Sequence, residues 1–289
     1  MKKFFIFPLL VFLFPVSLLC AAPVPTISSD ELSDKDISPA GRAALSESKG
    51  IWKHAETDHF IYHFTDEKEA ETVTINAELY YQWVKELFGI TADPWKKKSQ
   101  IFIFEDKDVW HHFNERIQSS LEGEAFTTGW ELFIYRAPFW LAPKKTLAHE
   151  ITHVIVFRFL EGPIPLFLNE GFAEFVSYRA IATGFGGNEY NVRVLQLIEP
   201  EKYIPLRSLA EMRTYPAGMV ETFYQESELL VRFFILNYNS QNFYTLLHHV
   251  SKGSGFAEEI KKIYDLDLSA LEEKFKNFAI KKNGSSERK

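Results

Sequence analysis

The chain has 289 residues, 46% of them hydrophobic and a quarter charged, so it carries ample apolar material for a sizeable core and is not a disordered protein. A net charge of -7 and a pI near 5.8, with no long basic run, argue against nucleic acid as a partner. Cys20 is the only cysteine, which excludes an intrachain disulfide and leaves the fold to its core.

At the N-terminus, Lys2 and Lys3 precede an apolar run from Phe4 to Leu19, then Cys20, Ala21, Ala22 and Pro23. This is the pattern of a secretory signal peptide over residues 1–22. The run is short for a membrane span and is interrupted by Pro8 and Pro15. An uncleaved leader, or a lipid on Cys20, would leave the chain membrane-associated, although Leu19 stands where lipoprotein signals usually carry a small residue. The expected location is therefore exported, periplasmic or extracellular. Residues 23–50 are rich in Ser, Pro, Ala and Asp without sustained apolar periodicity, and they read as a linker. One domain is expected over 51–282, divided into an α/β part (51–160) and a helical part (161–282), with a polar tail at 283–289.

Trp52 to Phe64 alternates as a strand. His59 and His63 share a strand face without helical geometry, and they read as packed or solvated rather than as ligands. Asp66 to Phe88 carries Ala70, Val73, Ala77, Tyr80, Val84 and Leu87 at helical spacing, with Gly89 as its C-terminal cap. Ser99 to Phe104 reads as a buried strand, and Asp106 to Gln118 as a short helix capped by Asp106 or Asp108. His111 and His112 are adjacent, cannot share a helix face, and are expected at the surface. Ala125 to Tyr135 reads as a strand pair, or one edge strand interrupted at Gly129, whose free backbone groups suit an extended substrate.

The next stretch carries the chemistry. If Lys144 to Phe159 is a helix, the H-E-x-x-H motif His149-Glu150-Ile151-Thr152-His153 puts both histidines on one face, the spacing two imidazoles need to bind one zinc ion. Glu150 is rotated about a quarter turn away, where it reaches a water without being a ligand. Apolar Leu147, Ala148, Ile151, Val154, Ile155 and Phe157 mark a helix crossing the core, and Pro143 suits its first turn. After the Gly162-Pro163-Ile164-Pro165 break, a second helix from about Pro165 to Thr183 carries Glu170 and Glu174 on one face. Glu170 would complete a His₂Glu set, and Glu174 would hydrogen-bond the outer nitrogen of a ligating histidine. Gly171 weakens that helix, which implies close approach of another element near the site.

Thr183 to Asn188 reads as a flexible loop, its glycines too irregular for a phosphate-binding fingerprint. Tyr203 to Ala217 reads as irregular connection and Glu221 to Asn237 as a strongly apolar helix. Phe243 to Lys276 carries two or three amphipathic helices around a Gly253-Ser254-Gly255 turn.

On these residues the sequence resembles the gluzincin metallopeptidases, and within them the bacterial group of small secreted or membrane-associated zinc peptidases known as the peptidase MA-like family. The resemblance runs from about Trp52 to Phe278: a strand–helix–strand–helix lead-in, H-E-x-x-H, then N-E-G-F-A-E, then a helix opening Tyr224-Gln225-Glu226-Ser227. It implies an α+β, zincin-like fold, with an N-terminal mixed sheet and its helices packed against a mainly helical C-terminal part. Leu168 to Glu174 is also similar to aminopeptidase-N-like gluzincins, which implies Glu170 as third zinc ligand and Tyr224 as the phenol that steadies an oxyanion. Tyr215 is the competitor for that last role. Sixteen residues separate His153 from Glu170, a shorter link than in that group, and a G-x-M-E-N signature is absent upstream of His149. Aminopeptidase activity is therefore not implied.

The expected function is a zinc-dependent peptidase with one Zn²⁺ per chain, Glu150 as general base, and a peptide or protein substrate. Two other readings stand beside it. A non-catalytic envelope protein with structural zinc would need a fourth Cys or His, and neither lies near the motif. A peptidase-derived binding module would retain the zinc site with an obstructed cleft.

Overall fold

The computed structural model describes residues 24–47, 52–92, 95–118, 124–135, 142–160, 162–184 and 197–280. The signal peptide expected at 1–22, with Cys20, most of the loop expected at 183–188 and the tail expected at 283–289 lie outside these residues.

Among the described residues, five strands form one mixed sheet: β1 (Lys53–Glu56), β2 (Phe60–Phe64), β3 (Ser99–Phe104), β4 (Ala125–Thr128) and β5 (Glu131–Tyr135), in the order β1-β2-β3-β5-β4. The central pairs β2–β3 and β3–β5 are parallel, and the outer strands β1 and β4 run antiparallel. The strand read across Trp52 to Phe64 is in fact a hairpin. Thr57 N–H donates to Phe60 O at 2.9 Å, so the polar Thr57-Asp58 break turns the chain.

Buried strands read as continuous apolar runs because both faces are covered, and the period of two assigns the layers. Ile101 and Ile103 of β3 and Leu132 and Ile134 of β5 face the main core. That core also takes α2 (Glu67–Leu87), α4 (Ala142–Phe159) and α5 (Leu166–Gly184). Phe102, Phe104 and Phe133 point the other way, into an aromatic layer with Trp110 and Phe113 of α3 (Lys107–Arg116) and Ala44 of α1 (Pro39–Glu47). Asp66 caps α2 by accepting from Lys68 N–H, and Asp106 caps α3 by accepting from Asp108 and Val109 N–H. Gly129 takes φ +61° between β4 and β5, the left-handed turn that makes the Ala125–Tyr135 stretch a pair of strands.

The linker expectation fails for residues 24–47, which dock on the sheet. Ile27 bridges to His54, Ser33 N–H donates to Glu56 Oε2 at 3.0 Å, and Asp36 pairs with Lys97 at 2.8 Å. Ser38 N–H donates to the buried Glu131 Oε1 at 2.6 Å, and its hydroxyl donates to Oε2. α1 then packs beside α3, where Glu47 pairs with Arg116 at 2.7 Å. Polar composition suggested a tether, but Ser38 satisfies the buried Glu131 and the other polar contacts tie the segment to the sheet.

The C-terminal part is helical: α6 (Leu206–Glu211), α7 (Val220–Asn237), α8 (Ser240–Ser251), α9 (Phe256–Tyr264) and α10 (Leu268–Ala279). α6 corrects the irregular reading of Tyr203 to Ala217. Pro205 stands at its N-cap, and burial of Leu206 and Leu209 holds the single short helix in place. His59 and His63 are buried and packed, while His111 and His112 are exposed. Among the described residues no helix is long and apolar enough to cross a membrane. The molecule is thus α+β, a mixed sheet at the N-terminal side against a mostly helical C-terminal part.

Candidate metal centre

α4 crosses the core and is anchored at its C-terminal end. Arg158 donates to Lys98 O at 2.7 Å and Ser99 Oγ at 3.1 Å, while Trp95 and Trp130 flank its guanidinium. One turn apart on this helix, His149 and His153 bring their Nε2 atoms within 3.1 Å of each other. From α5, Glu170 places Oε2 at 3.3 Å from His149 Nε2 and 3.6 Å from His153 Nε2. One ligand atom from each of the three residues lies within 4.8 Å of the others.

Two imidazole lone pairs and a carboxylate converging on one point repel unless a proton or a cation sits between them. The electrostatics register that demand. Burial alone would lower the His149 pKa, but Glu170 and then Glu174 outweigh it and raise it to about 9. Burial likewise opposes ionisation of Glu170, yet the two imidazoles hold its carboxyl well below the usual carboxylate range. A His₂Glu donor set fits zinc, and His149, His153 and Glu170 are the residues that would hold it.

Around this cluster stands a layer of orienting groups. Glu174 Oε1 lies 3.0 Å from His149 Nδ1, close enough for an ion pair though poorly aligned as a hydrogen bond. Its other oxygen takes Lys145 Nζ at 2.9 Å. The Tyr215 phenol donates to Glu170 Oε1 at 3.0 Å, and burial followed by the Glu170 charge raises its pKa, so it stays a donor. Tyr224 stacks on Tyr215 at 5.6 Å and meets the His149 ring edge-on at 6.2 Å.

A cavity of about 450 Å³ opens beside the cluster, lined among others by Lys145, His149, Glu150, Glu174, Tyr178 and Tyr224. Glu150 and Tyr224 thus face the same space as His149, one of the three metal-ligand candidates. The helix that carries Tyr224 comes close because of Gly171: a Cβ there would lie 2.3 Å from Ser227 O and 2.6 Å from Ser227 C. The close approach inferred from a glycine inside a helix is α7 against α5.

The sequence reasoning missed two contributors. Lys145 sits four residues before His149, so the helical spacing that found His153 also points to it. Tyr215 had been weighed only for an oxyanion; its contact with Glu170 spans 45 residues and left no local signal.

A family model described as the Peptidase MA superfamily matches residues 88–281, about two thirds of the chain, and takes in α4, α5 and α7. No curated protein matches the chain.

Proposed function

The chain belongs to the Peptidase MA superfamily, and on that premise we propose that it is a zinc-dependent peptidase, holding one Zn²⁺ per chain and hydrolysing bonds in a peptide or protein substrate. The observation that carries the reading is convergence: three ligand-type side chains meet at one point, and Glu150 and Tyr224 face the cavity beside it. Zinc bound at such a set lowers the pKa of a water to about 7 and polarises a scissile carbonyl. Glu150, beside the cluster and not part of it, accepts the proton of the attacking water and passes it to the leaving amine. Tyr224 supplies a phenolic donor for the developing oxyanion. Glu174, backed by Lys145, fixes the orientation of the His149 ring. An exported location belongs to the same proposal, and rests on the basic, apolar and small-residue pattern of residues 1–22.

A purely structural zinc site is disfavoured, because such sites close with a fourth protein ligand, whereas the cluster has three among the described residues and one of them, His149, lines an open cavity. Zinc content and hydrolysis of a mixed peptide library decide the matter. One zinc per chain, lost in His153→Ala and Glu170→Ala, together with cleavage lost in a zinc-retaining Glu150→Gln, is the expected result. Full cleavage by Glu150→Gln would remove it as the base, and a folded chain that takes up no zinc would end the peptidase reading.

A further inference from the structure

We propose that Tyr215 is a positioning residue for Glu170, whose phenol sets the metal affinity of the site rather than the proton transfers of hydrolysis. The inference rests on the metal-site reading above.

The two oxygens of Glu170 have different surroundings. Oε2 faces both imidazoles, at 3.3 Å and 3.6 Å, while Oε1 accepts the Tyr215 hydroxyl at 3.0 Å. Glu170 is only 5% exposed, so water cannot stand in for a missing donor on Oε1. With that oxygen engaged, the carboxylate cannot rotate to exchange its oxygens, and Oε2 stays directed at the histidines.

Tyr215 reaches the ligand from an unusual direction. It belongs to the connection between α6 and α7, and the residue as a whole is 46% exposed. Its ring is nevertheless fixed, edge-on to Phe223 at 5.8 Å and stacked on Tyr224 at 5.6 Å. The cavity lining includes Tyr224 and not Tyr215. The two phenols meet each other but differ in what else they touch: Tyr224 faces the space a substrate would fill, and Tyr215 holds the Glu170 carboxylate.

The test compares full-length wild type, Tyr215→Phe and Tyr224→Phe. Zinc dissociation constants are measured by competition with a chromophoric chelator, alongside the melting temperature of each metal-free chain. Tyr215→Phe should bind zinc about 10- to 100-fold more weakly, while its metal-free chain still unfolds cooperatively with a melting temperature lowered by roughly 2–8 °C, as loss of one donor to a buried carboxylate requires. Tyr224→Phe should keep wild-type affinity. Wild-type affinity in Tyr215→Phe overturns the inference while leaving the metal site standing. A metal-free Tyr215→Phe chain that no longer unfolds cooperatively also overturns it, by marking a general structural role. A wild type that binds no zinc removes the metal reading and this inference together.

Discussion

Replacing Gly171 by alanine tests whether contact between α5 and α7 sets the geometry of the site. The added Cβ would lie 2.3 Å from Ser227 O and 3.0 Å from Val231 Cγ2. Ordinary carbon contacts begin near 3.5 Å, so α7 would have to retreat by roughly 1 Å. The obstacle is a backbone carbonyl within a helix, which cannot swing aside as a side chain would. Overpacking of this kind costs about 1–3 kcal/mol, and a rigid obstacle favours the upper end. Alanine regains about 1 kcal/mol of helix propensity over glycine, which leaves a net loss of about 1–2 kcal/mol. For a chain of this size that lowers the melting temperature by roughly 2–8 °C, readable by calorimetry or circular dichroism. A Gly171→Ala chain melting at or above wild type would mean that propensity alone governs the position, and the close-contact argument would fail.

Three other expectations follow from the charges and the docked N-terminal segment. Glu226 is fully buried; burial first, then Glu272, raises its pKa to about 8, while Ile204 N–H donates to its Oε2 at 2.9 Å. Its folded pKa lies above the unfolded value, so its contribution to stability is complete below about pH 4.5 and is lost as pH rises toward 8, on the order of a few kcal/mol in all. Glu226→Gln should therefore flatten the urea stability profile between pH 5 and 9 and stabilise the alkaline end; parallel profiles would refute the assignment. Because His149 holds a proton up to about pH 9, zinc must displace it, and affinity should strengthen roughly tenfold per pH unit between pH 7 and 9. A flat titration over that range would show that no such proton is released. Ser38→Ala removes a donor from the buried Glu131 and should cost about 1–3 kcal/mol, whereas a true linker position would show no change in urea unfolding.

What the sequence made legible was set by the range of each interaction. His149 and His153 were found because helical geometry acts over four residues, and Asp106, one of two cap candidates, because caps act within one turn. The strand Ser99 to Phe104 was legible from its own composition, being buried on both faces. Glu170 lay at the limit, readable through the helix-break-helix spacing and the resemblance it carries. Interactions with distant partners stayed hidden. Ser38 meets Glu131 across 93 residues, so a polar stretch read as a tether, and Tyr215 meets Glu170 across 45. The hairpin within Trp52 to Phe64 was lost differently, because its turn residues, Thr57 and Asp58, interrupt the alternation only briefly.

The charge pattern gives a reason for a divalent cation at this place. Glu174 faces Lys145 at 2.9 Å, and Glu228, which lines the same cavity, accepts from Arg232 Nε at 2.7 Å. Each of these carboxylates is balanced by its own cation. Among the described residues Glu170 and Glu150 have no lysine or arginine partner. Glu170 instead faces two imidazoles and a phenol, and Glu150 acts on His149 and Tyr224 only as a nearby charge. Two negative charges around a pair of neutral imidazoles match one dication, and a single proton on His149 offsets only half of them. Proton and metal therefore compete for the same small volume, and the ion that neutralises both carboxylates is favoured once pH no longer supplies the proton.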